Sequence, residues 1–252
     1  MFRNSKAFYL IGFIGLAGIG GCQKSHHIVR TDYHQFEVTD SLPVDSSLVR
    51  YYLPYKYKME SEMSRVIGRS VVAITGGKGP ETLLGNFFSD ALLNRGQQLE
   101  SKIDFTFSTR GGLRNALPKG NLTIGNIFEL MPFENEILLL KLSGQTTAKL
   151  LNYIANSEGQ PVSGLRMVVD NHQPKEVLIG GEAFDSSRDY YVLTYDYLYN
   201  SGGDLAFLSE ALESRTVGKR LREAIIEYIE DQTRAGNEIE VQLDGRIRLH
   251  EN

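Results

Sequence analysis

The chain has 252 residues, a formal charge of −4 at pH 7 and a single cysteine. That length leaves room for one sizeable core even after a leader is set aside. The acidic balance excludes a global basic field that would hold nucleic-acid polymers by their phosphates, and one cysteine excludes a disulfide framework, so stability has to come from packing.

The first segment reads as an export signal. Arg3 and Lys6 form a basic head, Ala7 to Ile19 is apolar and uncharged, and the small residues Gly20 and Gly21 precede Cys22. The apolar run is too short for a permanent span. Small residues before a lone cysteine match a lipoprotein-type signal, which makes Cys22 the expected lipid acceptor and 1–22 the leader. Loss of Arg3 and Lys6 would take the charge from −4 to −6. The expected location is the cell envelope, and Gln23 after the cysteine is compatible with the outer membrane. Residues 23–43 are polar without a sustained period and read as a tether, leaving 44–252 as the folded domain.

Within that domain, Asp45 or Ser46 can cap a helix carrying Leu48, Tyr52, Tyr55, Met59 and Met63, which Pro54 should bend or interrupt. Val66 to Thr75 predicts a strand, Gly76-Gly77-Lys78-Gly79-Pro80 a break, and Thr82 to Asn94 a second helix. The alternation Ile103 to Phe107 predicts a strand ended by Arg110-Gly111-Gly112, and Thr123 should cap a short helix through Leu130. Glu136 to Leu142 is a strand pattern, Ser143-Gly144 a break and Gln145 to Ala155 a helix. Short strands follow around Leu165 to Val169, Glu176 to Ile179 and Tyr190 to Thr194. Leu221, Ala224, Ile225, Tyr228 and Ile229 form the stripe of a buried helix face. Val241 to Leu243, Asp244-Gly245 and Arg246 to Leu249 predict a closing hairpin. Strands and helices interleave without a strict βαβ rhythm, so the predicted fold class is α+β, with mixed sheet and helices in layers.

Several segments carry possible binding chemistry. The turn Thr109-Arg110-Gly111-Gly112-Leu113-Arg114 can present backbone N–H groups and a guanidinium to an anion, although a strand-ending turn with a solvated arginine reads the same way. Phe133 stands at a helix-to-strand corner, where in isolation it reads as a core ring. Tyr195, Tyr197 and Tyr199 precede Gly202-Gly203-Asp204. Flat rings suit a base and a carboxylate suits a ribose diol, while aromatics capping a core fit each tyrosine singly. Lys78 lies in a glycine-rich loop that is not a Walker P-loop, because Gly79 follows it rather than Ser or Thr.

In order, Leu84-Gly85-Asn86 with Asp90-Ala91-Leu92, then Gly111-Gly112-Leu113-Arg114, Pro132-Phe133-Glu134-Asn135, Leu142-Ser143-Gly144, Tyr197-Leu198, Gly202-Gly203-Asp204 and Asp244-Gly245-Arg246-Ile247 resemble the C-terminal domain of 5′-nucleotidases. The resemblance spans about Val44 to Leu249. It implies that Phe133 and Tyr197 sandwich a nucleobase, that Asp204 holds the ribose hydroxyls, and that Arg114, with Lys78 as a second basic residue, meets the anionic end. Three positions depart from the pattern. Thr109 stands where the family has asparagine, Tyr197 lies one residue farther from Gly-Gly-Asp than the usual ring, and Leu205 replaces a glycine.

Hydrolysis in that family belongs to an N-terminal metallophosphatase domain, whose two divalent metals need a dense set of His and Asp ligands. Here Gly-Asn occurs four times, followed by Phe87, Leu122, Ile127 or Glu238 and never by histidine. His26, His27, His34, His172 and His250 are scattered. No catalytic residue and no cofactor are therefore expected in this chain, with divalent metals expected only in a partner. Two functional classes follow. One is a nucleotide-binding subunit acting in nucleotide catabolism with a separately encoded metallophosphatase; the other is a non-catalytic nucleotide- or nucleoside-binding surface lipoprotein. A surface remnant without binding is a third.

Overall fold

The computed structural model describes residues 30–39 and 42–250. Cys22 and the expected leader lie outside the described residues. The chain divides into a unit ending at Val49 and a unit Arg50–Asn252.

Helix α1 (Ser46–Met63) starts where Asp45 Oδ1 accepts hydrogen bonds from the N–H groups of Ser47 and Leu48, at 2.8 and 3.2 Å. It runs through Pro54, contrary to the expected interruption, and none of its residues is buried. The carbonyl that loses its N–H partner to proline is therefore in reach of solvent, which lowers the penalty of an interior proline.

In the second unit, β1 (Val66–Ser70) is shorter than the predicted run to Thr75. Past Ser70 the chain leaves the ladder, and Ile74 makes only a single antiparallel bridge to Leu117. The strand pairs with β3 (Gly120–Thr123), which sequence reading missed. Helix α2 (Leu83–Leu99) begins at Thr82, whose side chain accepts from the Gly85 N–H, and continues beyond the predicted Asn94. Its buried row includes Leu84, Phe87, Phe88, Ala91 and Leu92. At Gly96 a Cβ would overlap the Leu193 side chain, so only glycine permits this approach of helix to sheet.

Next come β2 (Phe105–Phe107), α3 (Ile124–Leu130), β4 (Glu136–Leu142), α4 (Gly144–Asn156) and β5 (Val162–Ser163). As predicted, Thr123 caps α3, with Asn126 answering it in a capping box. The small strands β6 (Leu165–Asp170), β7 (Gln173–Ile179) and β8 (Glu182–Ala183) precede β9 (Tyr190–Tyr195). Helix α5 (Asp196–Asn200), a 3-10 segment Gly203–Glu210, β10 (Glu213–Arg220), α6 (Leu221–Arg234) and β11 (Ile247–Leu249) complete the chain.

The main sheet has five strands in the order β10-β4-β9-β2-β5, with β2 and β9 parallel and the other pairs antiparallel. Its central strands are buried: Ile137, Leu139, Leu140 and Leu142 on β4, and Tyr190 and Val192 to Tyr195 on β9. Helix α2 packs on the sheet through β2, β5 and β9 and against α6. The α6 stripe is as predicted, with Leu221, Ala224, Ile225 and Ile229 buried and Tyr228 meeting Phe87 edge-on at 6.2 Å. A second sheet has the order β11-β6-β7-β8. These sheets and helices make the layered α+β fold that the sequence predicts.

The expected C-terminal hairpin does not form. Ile247–Leu249 instead pairs in parallel with Met167 to Val169 of β6, and Val241 to Arg246 is loop. The reason is local bonding. The N–H groups of Asp244 and Gly245 donate to the Glu81 carboxylate at 2.7 and 2.9 Å, and Arg246 turns inward to Asp90. Glu81 also accepts from the Asn86 amide, whose second acceptor is the Gln242 carbonyl. Arg246 is buried and donates to both Asp90 oxygens at 2.7 and 3.0 Å, to both Asp244 oxygens and to the Val162 carbonyl. The Leu-Gly-Asn, Asp-Ala-Leu and Asp-Gly-Arg motifs are thus one interlocked scaffold that fastens the chain end to α2.

Candidate functional site

Strands β2 and β9 run parallel, and β4 lies antiparallel beside β9 with Ile137 opposite Tyr195. The segment after β2, the segment after β9 and the segment before β4 therefore leave the main sheet at one end. They carry Thr109 to Arg114, Asp196 to Asp204 and Pro132 to Asn135. Loops off the carboxyl ends of parallel strands are a general place for ligands in sheets with helical cover.

The Phe133 corner is held from behind. Arg222 is buried in the first turn of α6, with its guanidinium 3.9 Å from the centre of the Phe128 ring. It donates to the carbonyls of Met131 and Phe133, at 3.3 and 3.2 Å, and pairs with Glu134. That hydrogen bond holds the Glu134 carboxyl below its ordinary value. The Asn135 carbonyl accepts from Leu221 N–H at 2.9 Å. Phe133 is half-buried and packs against the core. The Arg114 guanidinium lies 5.3 Å from its ring centre, within cation–π range. Arg114 is exposed, and among the described residues no carboxylate lies within ion-pair distance of it. Its backbone N–H is tied to the Leu130 carbonyl at 2.9 Å, which fixes the chain while leaving the charge free to meet an anion.

The three tyrosines have separate fates. Tyr195 is core, its hydroxyl 3.4 Å from Thr109 Oγ1, and burial pushes its pKa up. A Cβ on Gly112 would stand 2.7 Å from that hydroxyl, so this glycine lets the arginine turn close onto β9. Tyr199 packs half-buried on the core. Tyr197 alone is open, 64% exposed, on helix α5 rather than on the predicted loop. The position one residue nearer Gly202 is Leu198, which is buried. Among the described residues no ring contact joins Tyr197 to Phe133, so the two rings do not close on each other.

Asp204 lies exposed in the first turn of the 3-10 segment, after two glycines with positive φ, 67° at Gly202 and 56° at Gly203. Its charge reaches Tyr153 on α4, whose pKa is raised by burial and then by Asp204. Tyr153 stands edge-on to Phe107 at 6.0 Å. Sequence reading missed it because on α4 it occupies an ordinary helical position, and only the tertiary fold sets it beside Asp204.

The two arginines of the turn divide the work. Arg110 is committed to carbonyls of Gly79 at 3.0 Å, Ser157 at 2.5 Å, Gly159 at 2.6 Å and, more weakly, Lys78 at 3.4 Å. It thereby clasps the Gly76 to Pro80 loop to the end of α4. Lys78 is exposed on that loop, next to the arginine turn, but no described contact joins its ammonium to Phe133, Tyr197 or Asp204.

Two sizeable open clefts lie elsewhere. One of about 810 Å³ is lined by Arg166, Val168, Glu176, Leu178 and Arg248 on the second sheet, and one of about 930 Å³ adjoins it at Leu243 and His250. Cleft size and chemistry disagree here. The Phe133 and Tyr197 segments carry flat rings and free charges at an open surface, so the chemistry points to that surface. Among the described residues, no three His, Cys, Asp or Glu side chains converge into a metal-holding group.

The layered fold is that of a domain carried by nucleotide phosphoesterases. Residues 63–210 match the family 5′-nucleotidase, C-terminal domain, and the chain belongs to it. Endonuclease YhcR of Bacillus subtilis is 25% identical over 91% of this chain, but the match takes up only 18% of that relative. The 5′-nucleotidase of Vibrio parahaemolyticus is 25% identical over 66% of this chain and 30% of its own length. Among solved structures, the 5′-nucleotidase precursor of Thermus thermophilus has the same fold, with a TM-score of 0.68 and 24% identity over 83% of this chain and 44% of that one. The chain thus spans less than a third of the length of these curated relatives.

Proposed function

We propose that this chain is an exported, lipid-anchored protein whose domain binds nucleotides or nucleosides without hydrolysing them itself. The observation that carries the reading is the sharing of one sheet end by four groups: Phe133, with Arg114 over its ring, and exposed Tyr197 and Asp204. In this reading Phe133 and Tyr197 face the two sides of a base, Asp204 accepts from the ribose hydroxyls, and Arg114 takes the phosphate, with Lys78 adding longer-range attraction. Family membership supports the ligand class, and the basic, apolar and small-residue pattern before Cys22 supports the anchor. Titration calorimetry with adenosine and AMP tests the reading; no heat of binding with either would sink it.

A second reading has one observation in its favour. The four groups lie on an open surface rather than in a closed cleft, as half of a site completed by another protein would. There the chain would present nucleotide to a separately encoded metallophosphatase, and the pair would release nucleoside and phosphate. Phosphate release from AMP by the mixture, but by neither component alone, is the result that would favour it.

A further inference from the structure

Among the described residues, α1 is the one long helix without a fully buried residue, yet it is not polar throughout. From Arg50 onward, Tyr51, Tyr55 and Met59 follow one another at four-residue steps, and Tyr52 lies beside Tyr55 and Met59 on the same face. These side chains are between 43% and 69% exposed, and the tilted rings of Tyr51 and Tyr55 meet at 5.8 Å between centres. A row of this kind on a surface marks a contact with something else. Lys58 borders the row, three residues after Tyr55. Among the described residues neither Arg50 nor Lys58 has an acidic partner, whereas Lys56 pairs with Glu60 at 3.7 Å and Arg65 with Glu62 at 3.1 Å. The far end of the helix is fixed. Met63 packs on the core, and Arg65 bonds Glu230 at 2.8 Å.

The sequence leading into this helix is what identifies the occupant. Residues 23–43 are a polar stretch that starts at the expected lipid acceptor, Cys22. Only 23 residues lie between Cys22 and the start of the helix at Ser46. The helix from Arg50 to Met63 is itself only about 20 Å long. A lipid on Cys22 would therefore keep the helix at high local concentration against the bilayer. Tyrosines, with an apolar ring and a polar tip, suit the headgroup layer, and uncompensated Arg and Lys suit anionic headgroups.

We propose that the Tyr51, Tyr52, Tyr55 and Met59 face of α1 rests in the headgroup layer of the anionic membrane that holds the anchor, with Arg50 and Lys58 against lipid phosphates. This inference rests on the anchoring reading. A natural probe is available, because the chain contains no tryptophan. The full-length lipidated protein carrying Tyr55→Trp is placed in phosphatidylglycerol-containing vesicles with brominated acyl chains, beside a control carrying Leu243→Trp.

The expected result is blue-shifted emission, quenched by at least a third, for Tyr55→Trp and no change for Leu243→Trp. Adding Lys58→Glu should reduce the quenching. Three results would overturn the proposal. Absence of palmitate label on Cys22 removes the anchor and this inference with it. A labelled, vesicle-bound protein whose Tyr55→Trp stays unquenched removes this inference and leaves the anchor standing. A blue shift without bromine quenching shows a protein, not lipid, covering the helix.

Discussion

Replacing Phe133 by alanine separates a ligand platform from a core ring. A base stacked on an aromatic side chain is worth about 1–3 kcal/mol, so the substitution should weaken nucleoside affinity roughly ten- to a hundredfold. The same change also removes packing. A fully buried phenylalanine costs about 3–5 kcal/mol when cut to alanine, and Phe133 is only half-buried, so its share is about 2 kcal/mol or less. The corner itself should persist, because its carbonyls are held by Arg222 and Leu221 rather than by the ring. Phe133→Leu retains most of the apolar contact and loses the flat face, so it should lie between wild type and alanine in affinity and near wild type in stability. Calorimetry with adenosine gives the affinities and thermal melts give the stabilities. If Phe133→Ala lowers the melting temperature while adenosine binds as before, the ring is core and the binding argument fails.

Arg114→Ala should weaken AMP far more than adenosine in the same titrations, since its guanidinium is free to meet a phosphate; equal losses would place it elsewhere. Asp90→Asn leaves buried Arg246 with Asp244 as its remaining carboxylate partner and should cost about 1–3 kcal/mol in denaturant melts. At Asp244, burial works against ionisation, but the Arg246 hydrogen bond and charge outweigh it and hold the carboxyl below 3.8. The stability it contributes is therefore complete above that pH and is lost as the pH falls below it. Acid melts of Asp244→Asn should lack that step, and an unchanged acid profile would count against the scaffold. The purified protein should release no phosphate from AMP with manganese, cobalt or zinc; metal-dependent turnover that stays with this chain through purification would overturn the non-catalytic reading.

Much of the fold was legible because its elements are local. Thr123 with Asn126, the alternation of Glu136 to Leu142 and the stripe on Leu221 to Ile229 each state their structure within one or two turns of chain. The motifs gave the family from their order alone. What they do within it depends on partners far away in sequence. Asn86, Asp90 and Arg246 looked no different from Arg114 or Asp204 as polar motif residues, yet they turned out to be the fastening between α2 and the chain end. The hairpin predicted over Val241 to Leu249 failed for the same reason: a two-residue turn signal is weaker than a carboxylate from Glu81 and the pairing of buried Arg246 with Asp90. Among the tyrosines, sequence gave three rings before Gly-Gly-Asp, and burial, which only packing decides, left Tyr197 alone facing outward. Composition and pattern determine which elements form; the site is decided by which side chains the packed sheet leaves uncovered, because binding needs groups whose surface and charge the fold has not already used.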